Sequence, residues 1–252
     1  MKNLCKKYLG IISIGLGIVI FYVLLTDVFN VLSDFLFPSL GQVISLIPDY
    51  IGQLLEGLVS SLGLLVTSYV LAVLCGVSLG TLVGLKAGLR KNLNPYITAF
   101  SAIPVPLLTP YAINIFPTFR LASIFLIWLG AFWVILGTTV GAVQSIDKRY
   151  LENAATLELP PVTRLFRVIL PAASPTILVG CSVALNLSFM MLAVAEMFGA
   201  SSGMAFFIQY YSDFARFDLV MLGFLFVAAV LVTIMYLFDL LKARILHWTL
   251  NN

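Results

Sequence analysis

Residues 152–171 read ENAATLELPPVTRLFRVILP, a run that holds four charges and three prolines. It stands in a chain whose mean hydropathy is +1.08. A charge at the bilayer centre costs about 2.5–3.5 kcal/mol on insertion scales, and each proline removes a backbone donor. The stretch therefore belongs in water, between two apolar segments, and the fold follows from what flanks it.

Working outward, 61% of the 252 residues are hydrophobic and 10% are charged. A soluble domain carries roughly a quarter charged residues, so this chain is written for a lipid solvent. Six stretches lack Asp, Glu, Lys and Arg: Tyr8–Thr26, Gly57–Leu85, Asn92–Phe119, Leu121–Ile146, Val168–Ala195 and Leu219–Phe238. Each is long enough to cross the hydrocarbon as a helix, which takes roughly 20 residues. The expected fold is all-α, a polytopic membrane protein of about six transmembrane helices. The first segment lacks a small-residue cleavage site and reads as a retained span.

Charge sets the expected orientation. Lys2, Lys6, Lys7, Lys86, Arg90, Lys91, Lys148, Arg149, Arg164, Arg167, Lys242 and Arg244 fall on one side of a six-span path. Arg120 and Arg216 fall on the other, with Asp27, Asp34, Asp49, Glu56, Asp213 and Asp218. The positive-inside rule then places both termini in the cytoplasm of a multi-pass protein of the cell (plasma or inner) membrane. The net charge of +3 is thus a topology signal and makes no case for nucleic-acid binding. Cys5, Cys75 and Cys181 have no metal-ligand spacing, His247 stands alone, and there is neither a phosphate-cradling glycine loop nor a nucleophile triad. The reading is of a non-enzyme, with no cofactor and no metal.

Between the first two spans, Ser39 and Asp49 occupy expected N-cap positions of short external helices. Gly76, Gly80, Gly84 and Gly88 recur every fourth residue, a face for close helix packing either within the chain or between subunits. Pro104, Pro106 and Pro110 predict a kinked or unwound third span that walls a cavity. Ser101, Thr109 and Asn114 there, with Asn186, Ser188 and Glu196 of the fifth span, are the candidate polar lining of a translocation pathway. In the opening stretch, Asp147 predicts the N-cap of a helix through Leu157, and Pro161 suits the first turn of a second helix. Leu159 precedes proline, so the two helices meet at an angle. Leu151, Ala154, Ala155, Leu157, Leu165 and Phe166 stand among the charges of this loop, which reads as a docking surface.

ENAATLELPPVTRLFRVILP resembles the EAA loop of permease subunits of ATP-binding cassette importers, with Glu152, Ala154, Leu170 and Pro171 at matching spacing and Val168 in the isoleucine place. Downstream, AEMFGASSGMAFFI (Ala195–Ile208) is similar to a signature of the nitrate, sulfonate, taurine and bicarbonate permeases. FPSLGQV (Phe37–Val43) and IPVPLLTP (Ile103–Pro110) also fall where that subfamily has related strings. The resemblance implies one transmembrane domain over residues 1–252 with the type I ABC importer permease fold and a cytoplasmic coupling loop, 147–167. Implied partners are two ATPase subunits docking at Glu152, Ala154, Ala155, Leu157, Glu158, Leu165 and Phe166, a second copy of the chain, an extracellular or periplasmic substrate-binding protein, and membrane lipid. The implied role is translocation of a small solute driven by those ATPases.

Two departures stand out. The loop glycine is Glu158, costly if the turn there is left-handed, and an acidic residue after the third span is Arg120. A secondary transporter or channel working without an ATPase is the alternative. It would need ionisable residues at mid-membrane, and the six spans hold none.

Overall fold

The computed structural model describes residues 15, 17, 19–29 and 31–248. Lys2, Cys5, Lys6, Lys7 and the beginning of the expected first span lie outside them. What is described of that span is a short apolar helix, α1 (Val19–Val28). Among the described residues there is no strand.

Ser39 starts α2 (Leu40–Ser45) through a capping box. Its hydroxyl accepts from the Gln42 amide, and the Gln42 side chain accepts from the Ser39 amide. The second cap is not where it was expected. α3 runs from Ile47 to Leu85 with Leu46 as its N-cap residue, and Asp49 sits inside the first turn. Pro48 suits a first helical turn and nothing after it breaks the helix, so the external segment and the second span fuse. At 1.5 Å per residue these 39 residues span about 58 Å, well beyond the hydrocarbon. Arg90 donates to the Gly84 carbonyl at 3.0 Å and closes the far end of α3.

The third span is broken, as its prolines require. α4 (Ala87–Ser101) stops before Pro104, a 3-10 turn covers Val105–Leu108, and α5 (Thr109–Ile115) follows. The two arms bend by 81°. α6 (Phe119–Gln144) and α9 (Leu170–Gly199) then pass through the middle of the molecule, and α11 (Phe217–Ile245) lies at its side. Thus α3, α6, α9 and α11 are each long and apolar enough to cross a membrane, and α4 with α5 makes a fifth crossing if the bent pair is counted as one span.

Close packing is built on the periodic glycines. A Cβ on Gly76, Gly80 or Gly84 would stand 2.8 Å from Ile135, 2.7 Å from Thr139 or 2.8 Å from Val143. The pairing 76–135, 80–139, 84–143 makes α3 and α6 parallel neighbours, so these three glycines serve contact within the chain. Gly88 lies past the helix end with open space around it. On α6's other side, Gly180 of α9 abuts Thr138 and Gly130 meets Met191, an antiparallel pairing. Ala131, Ile135 and Leu136 of α6 and Ala184 of α9 fill the space between. Stacked rings of Phe100 and Trp133, 5.2 Å apart, hold α4 to α6. α11 buries only its first turns, at Leu219, Val220, Leu222 and Gly223, and leaves Val232, Tyr236 and Leu240 outward as lipid-facing groups would be.

Candidate functional site

The opening stretch folds as a helical corner. Asp147 caps α7 (Lys148–Thr156), accepting from the Arg149 amide at 3.0 Å. Pro161 opens α8 (Pro161–Arg164), which passes through a π turn at Leu165–Ile169 into α9. Between them Glu158 has φ +48°. Its amide donates to Ala155 O at 3.0 Å and the Leu159 amide to Ala154 O at 3.3 Å. This pair of bonds is a Schellman ending, with Glu158 in the left-handed position that glycine occupies at least cost. Pro160 and Pro161 follow the turn and do not replace it.

The corner sorts its apolar residues into two sets. Ala154 is buried, and Leu151 and Leu165 pack on the core. Leu157 and Phe166 point away, 70% and 63% exposed, and Glu152, Ala155 and Glu158 are exposed beside them. Tyr150 and Val162 are outward as well, though the sequence reading did not single them out. Tyr150 lies two helical turns before Leu157, so the 3.6-residue period held a signal for it. This end of the molecule also carries Lys148, Arg149, Arg164 and Arg167.

At the opposite end, Glu196 is 1% exposed in the last turn region of α9. Ser61 of α3 donates to its Oε1 at 2.5 Å, and the Ala205 amide donates to its Oε2 at 2.8 Å. Ala205 is in the first turn of α10 (Met204–Asp213), so the carboxyl caps that helix from another one. The Met204 amide donates to Ser61 Oγ at 2.9 Å, and the Ser202 hydroxyl donates to Ser60 Oγ at 3.0 Å. Gly203, at φ +153°, lets the loop pass against the carboxyl, and a Cβ on Gly57 would meet Gly203 O at 3.0 Å. The AEMFGASSGM string is therefore a latch joining α9, α10 and α3. Ser60, Ser61 and Gly57 escaped the sequence reading because they stand more than 130 residues upstream with no local pattern to mark them.

The other polar candidates divide by exposure. Ser101, Asn114 and Asn186 are exposed, and each donates to a carbonyl of its own helix: Thr98 O at 3.0 Å, Pro110 O at 2.7 Å and Ser182 O at 3.3 Å. Ser101 lines a cavity of about 260 Å3 at the proline break, with Phe100, Trp133 and Met190. Asn186 lies one turn from Met190 on the same face of α9. Thr109 and Ser188 are fully buried. The Ser188 hydroxyl donates to Ala184 O at 2.9 Å, and the Thr109 hydroxyl has no partner among the described residues.

The two arginines at this end, opposite the loop, differ. Arg216 forms a two-pronged pair with Asp218, Nε to Oδ1 at 3.0 Å and Nη2 to Oδ2 at 2.8 Å. These bonds hold the guanidinium pKa still further above its ordinary value. Arg120 is exposed and has no ion pair among the described residues. Nor do the described residues contain a His, Cys, Asp and Glu cluster able to hold a metal.

Residues 72–249 match the family described as binding-protein-dependent transport system inner membrane component. The chain is 32% identical over 182 residues to the putative aliphatic sulfonates transport permease protein SsuC of Bacillus subtilis, covering 71% of this chain and 66% of that one. It is 31% identical over 149 residues to the nitrate import permease protein NrtB of Leptolyngbya laminosa, covering 59% and 53%. The chain thus spans between half and two thirds of the length of these relatives. A solved chain of the MetNI methionine ABC transporter, in an inward-facing conformation, has the same fold with TM-score 0.64 at 20% identity, over 79% of this chain and 97% of that one. The chain belongs to the family of inner-membrane components of binding-protein-dependent transport systems.

Proposed function

We propose that this chain is the membrane-spanning permease subunit of an ATP-binding cassette importer, working as a homodimer. Two ATPase subunits dock on its coupling loop, and an extracellular or periplasmic binding protein delivers a small solute. The observation that carries this reading is the outward pair Leu157 and Phe166 on a rigid, capped corner at the basic end of the molecule. Apolar side chains held in water by a Schellman turn and two proline positions make a surface prepared for a protein partner. The excess of lysine and arginine at that end supports a cytoplasmic location for it, and with it cytoplasmic termini.

ATP hydrolysis belongs to the docked subunits. Their closure would swing the α7–α8 corner, and α8 is continuous with α9 through the π turn, so motion at the loop passes directly into the helix bearing Asn186, Ser188 and Glu196. In this reading the exposed Ser101, Asn114 and Asn186 face a second copy across the pathway. Thr109, Ser188 and Glu196 take part from buried positions, by holding the helices that form its wall. SsuC and NrtB are named for aliphatic sulfonates and nitrate, both anions. A small anion is accordingly the solute class we assign.

The test is isolation of the tagged chain from its native membrane. An ATP-binding cassette subunit is expected to accompany it, and Leu157→Asp or Phe166→Asp is expected to abolish that association. A charge trapped unpaired in a docked interface costs about 3–5 kcal/mol, enough for a loss of more than 100-fold in affinity. Recovery of the wild-type chain without any ATPase would overturn the reading.

A further inference from the structure

The outer ends of α3, α6 and α9 leave between them a groove of about 540 Å3, within the size range of small-molecule sites. Val59 and Leu64 of α3 and Phe119 of α6 form its apolar wall. Arg120 lines it from α6, and Ser201 and Ser202 from the loop after α9. No acidic residue lines it. Among the described residues, neither the Arg120 guanidinium nor the Ser201 hydroxyl has a hydrogen-bond or ion-pair partner, whereas Arg216 is neutralised by Asp218.

Arg120 is the one full charge lining this groove, set against the smaller partial negative charge of the α9 end at Gly199 and Ala200. An unpaired guanidinium offers forked donors that fit an oxyanion in two-pronged fashion. Arg120 is also in the first turn of the 26-residue α6, where the helix dipole adds partial positive charge. The Ser201 hydroxyl completes the polar side, those of Ser60 and Ser202 being engaged with each other's residue, and the apolar wall would cover a short hydrocarbon. An arginine on the side opposite the basic end runs against the usual distribution of charge in membrane proteins and calls for a use.

We propose that this groove is the entry subsite for a small organic oxyanion, a sulfonate or carboxylate with a short tail. Its charged head lies on Arg120 and Ser201 and its tail against Val59, Leu64 and Phe119. The subsite rests on the importer reading for the direction of travel; binding of the anion itself is independent of the ATPases.

Val59→Cys places a thiol at the rim, at a side chain 72% exposed, without touching the donors. In the full complex held in lipid nanodiscs, the introduced thiol is reacted with methanethiosulfonates bearing a sulfonate or a trimethylammonium group, and modification is read by peptide mass spectrometry. The anionic reagent is expected to be favoured about tenfold, as a locally focused positive field would give, and millimolar pentanesulfonate is expected to slow it. Adding Arg120→Gln should remove both effects, and Arg120→Lys should retain the charge preference. An unchanged preference in Arg120→Gln, or no protection by pentanesulfonate, overturns the proposal. Protection that disappears when the nanodisc contains anionic lipid also overturns it, and assigns the groove to a headgroup phosphate. ATPase association measured on the same preparations reports separately on the importer reading.

Discussion

Gly203→Ala tests whether the latch at Glu196 holds α3, α9 and α10 together. The new Cβ would lie in hard contact with the Glu196 carboxyl carbon and 2.6 and 2.7 Å from its two oxygens. Because Glu196 is 1% exposed, the carboxyl has no open side to move into. Displacing it breaks the bonds from Ser61 Oγ and the Ala205 amide, each contributing about 1 kcal/mol net. Holding a non-glycine residue at φ +153° adds a strain of about 1–3 kcal/mol. The sum is about 3–5 kcal/mol, which corresponds to a fall in melting temperature on the order of 10 °C for a chain of this size. The assay is thermal unfolding of the purified chain followed by tryptophan fluorescence, with Gly52→Ala as the control. Gly52 lies in α3 with nothing within 4 Å of an added Cβ, so alanine there should stabilise by up to about 1 kcal/mol. A Gly203→Ala variant that melts with the wild type would refute the latch, and so would an equal loss from both substitutions.

The loop offers the opposite experiment. Glu158→Gly should stabilise the α7–α8 corner by about 1 kcal/mol, since glycine adopts φ +48° without the Cβ penalty, and the expected sign is slower limited proteolysis between Thr156 and Arg164. For the pathway, cysteine at Ser101, Asn114 or Asn186 should react with a small water-soluble thiol reagent in a nucleotide-dependent way, and cysteine at Thr109 or Ser188 should be protected in every nucleotide state. Reaction at the two buried positions equal to that at the three exposed ones would break the division drawn from burial.

Local sequence decided most of what depends on short-range chemistry. Charge-free runs of sufficient length can satisfy their backbone in lipid only as helices, so α3, α6, α9 and α11 were legible from composition. Prolines 104, 106 and 110 announced the broken span, Ser39 and Asp147 their caps, and Leu159–Pro161 a corner, because cap and proline effects act within one turn. Asp49 failed for the same reason. A cap residue and an acidic first-turn residue look alike locally, and with Pro48 in its first turn α3 starts three residues earlier than a cap at Asp49 would start it. The glycine spacing on α3 marked a close contact, yet only tertiary structure chose α6 as its partner and left Gly88 out. Glu158 could be recognised as an exception to a glycine, but its left-handed φ had to be seen. The latch was beyond the sequence altogether: Glu196 was visible as a polar group near a span end, while Ser61 reaches it from 135 residues away. Arg120 and Arg216 were likewise indistinguishable in the sequence as outer cations, until folding set Asp218 against one and an open groove beside the other. Pairing across such separations is a property of how the helices pack, and no one-turn rule carries it.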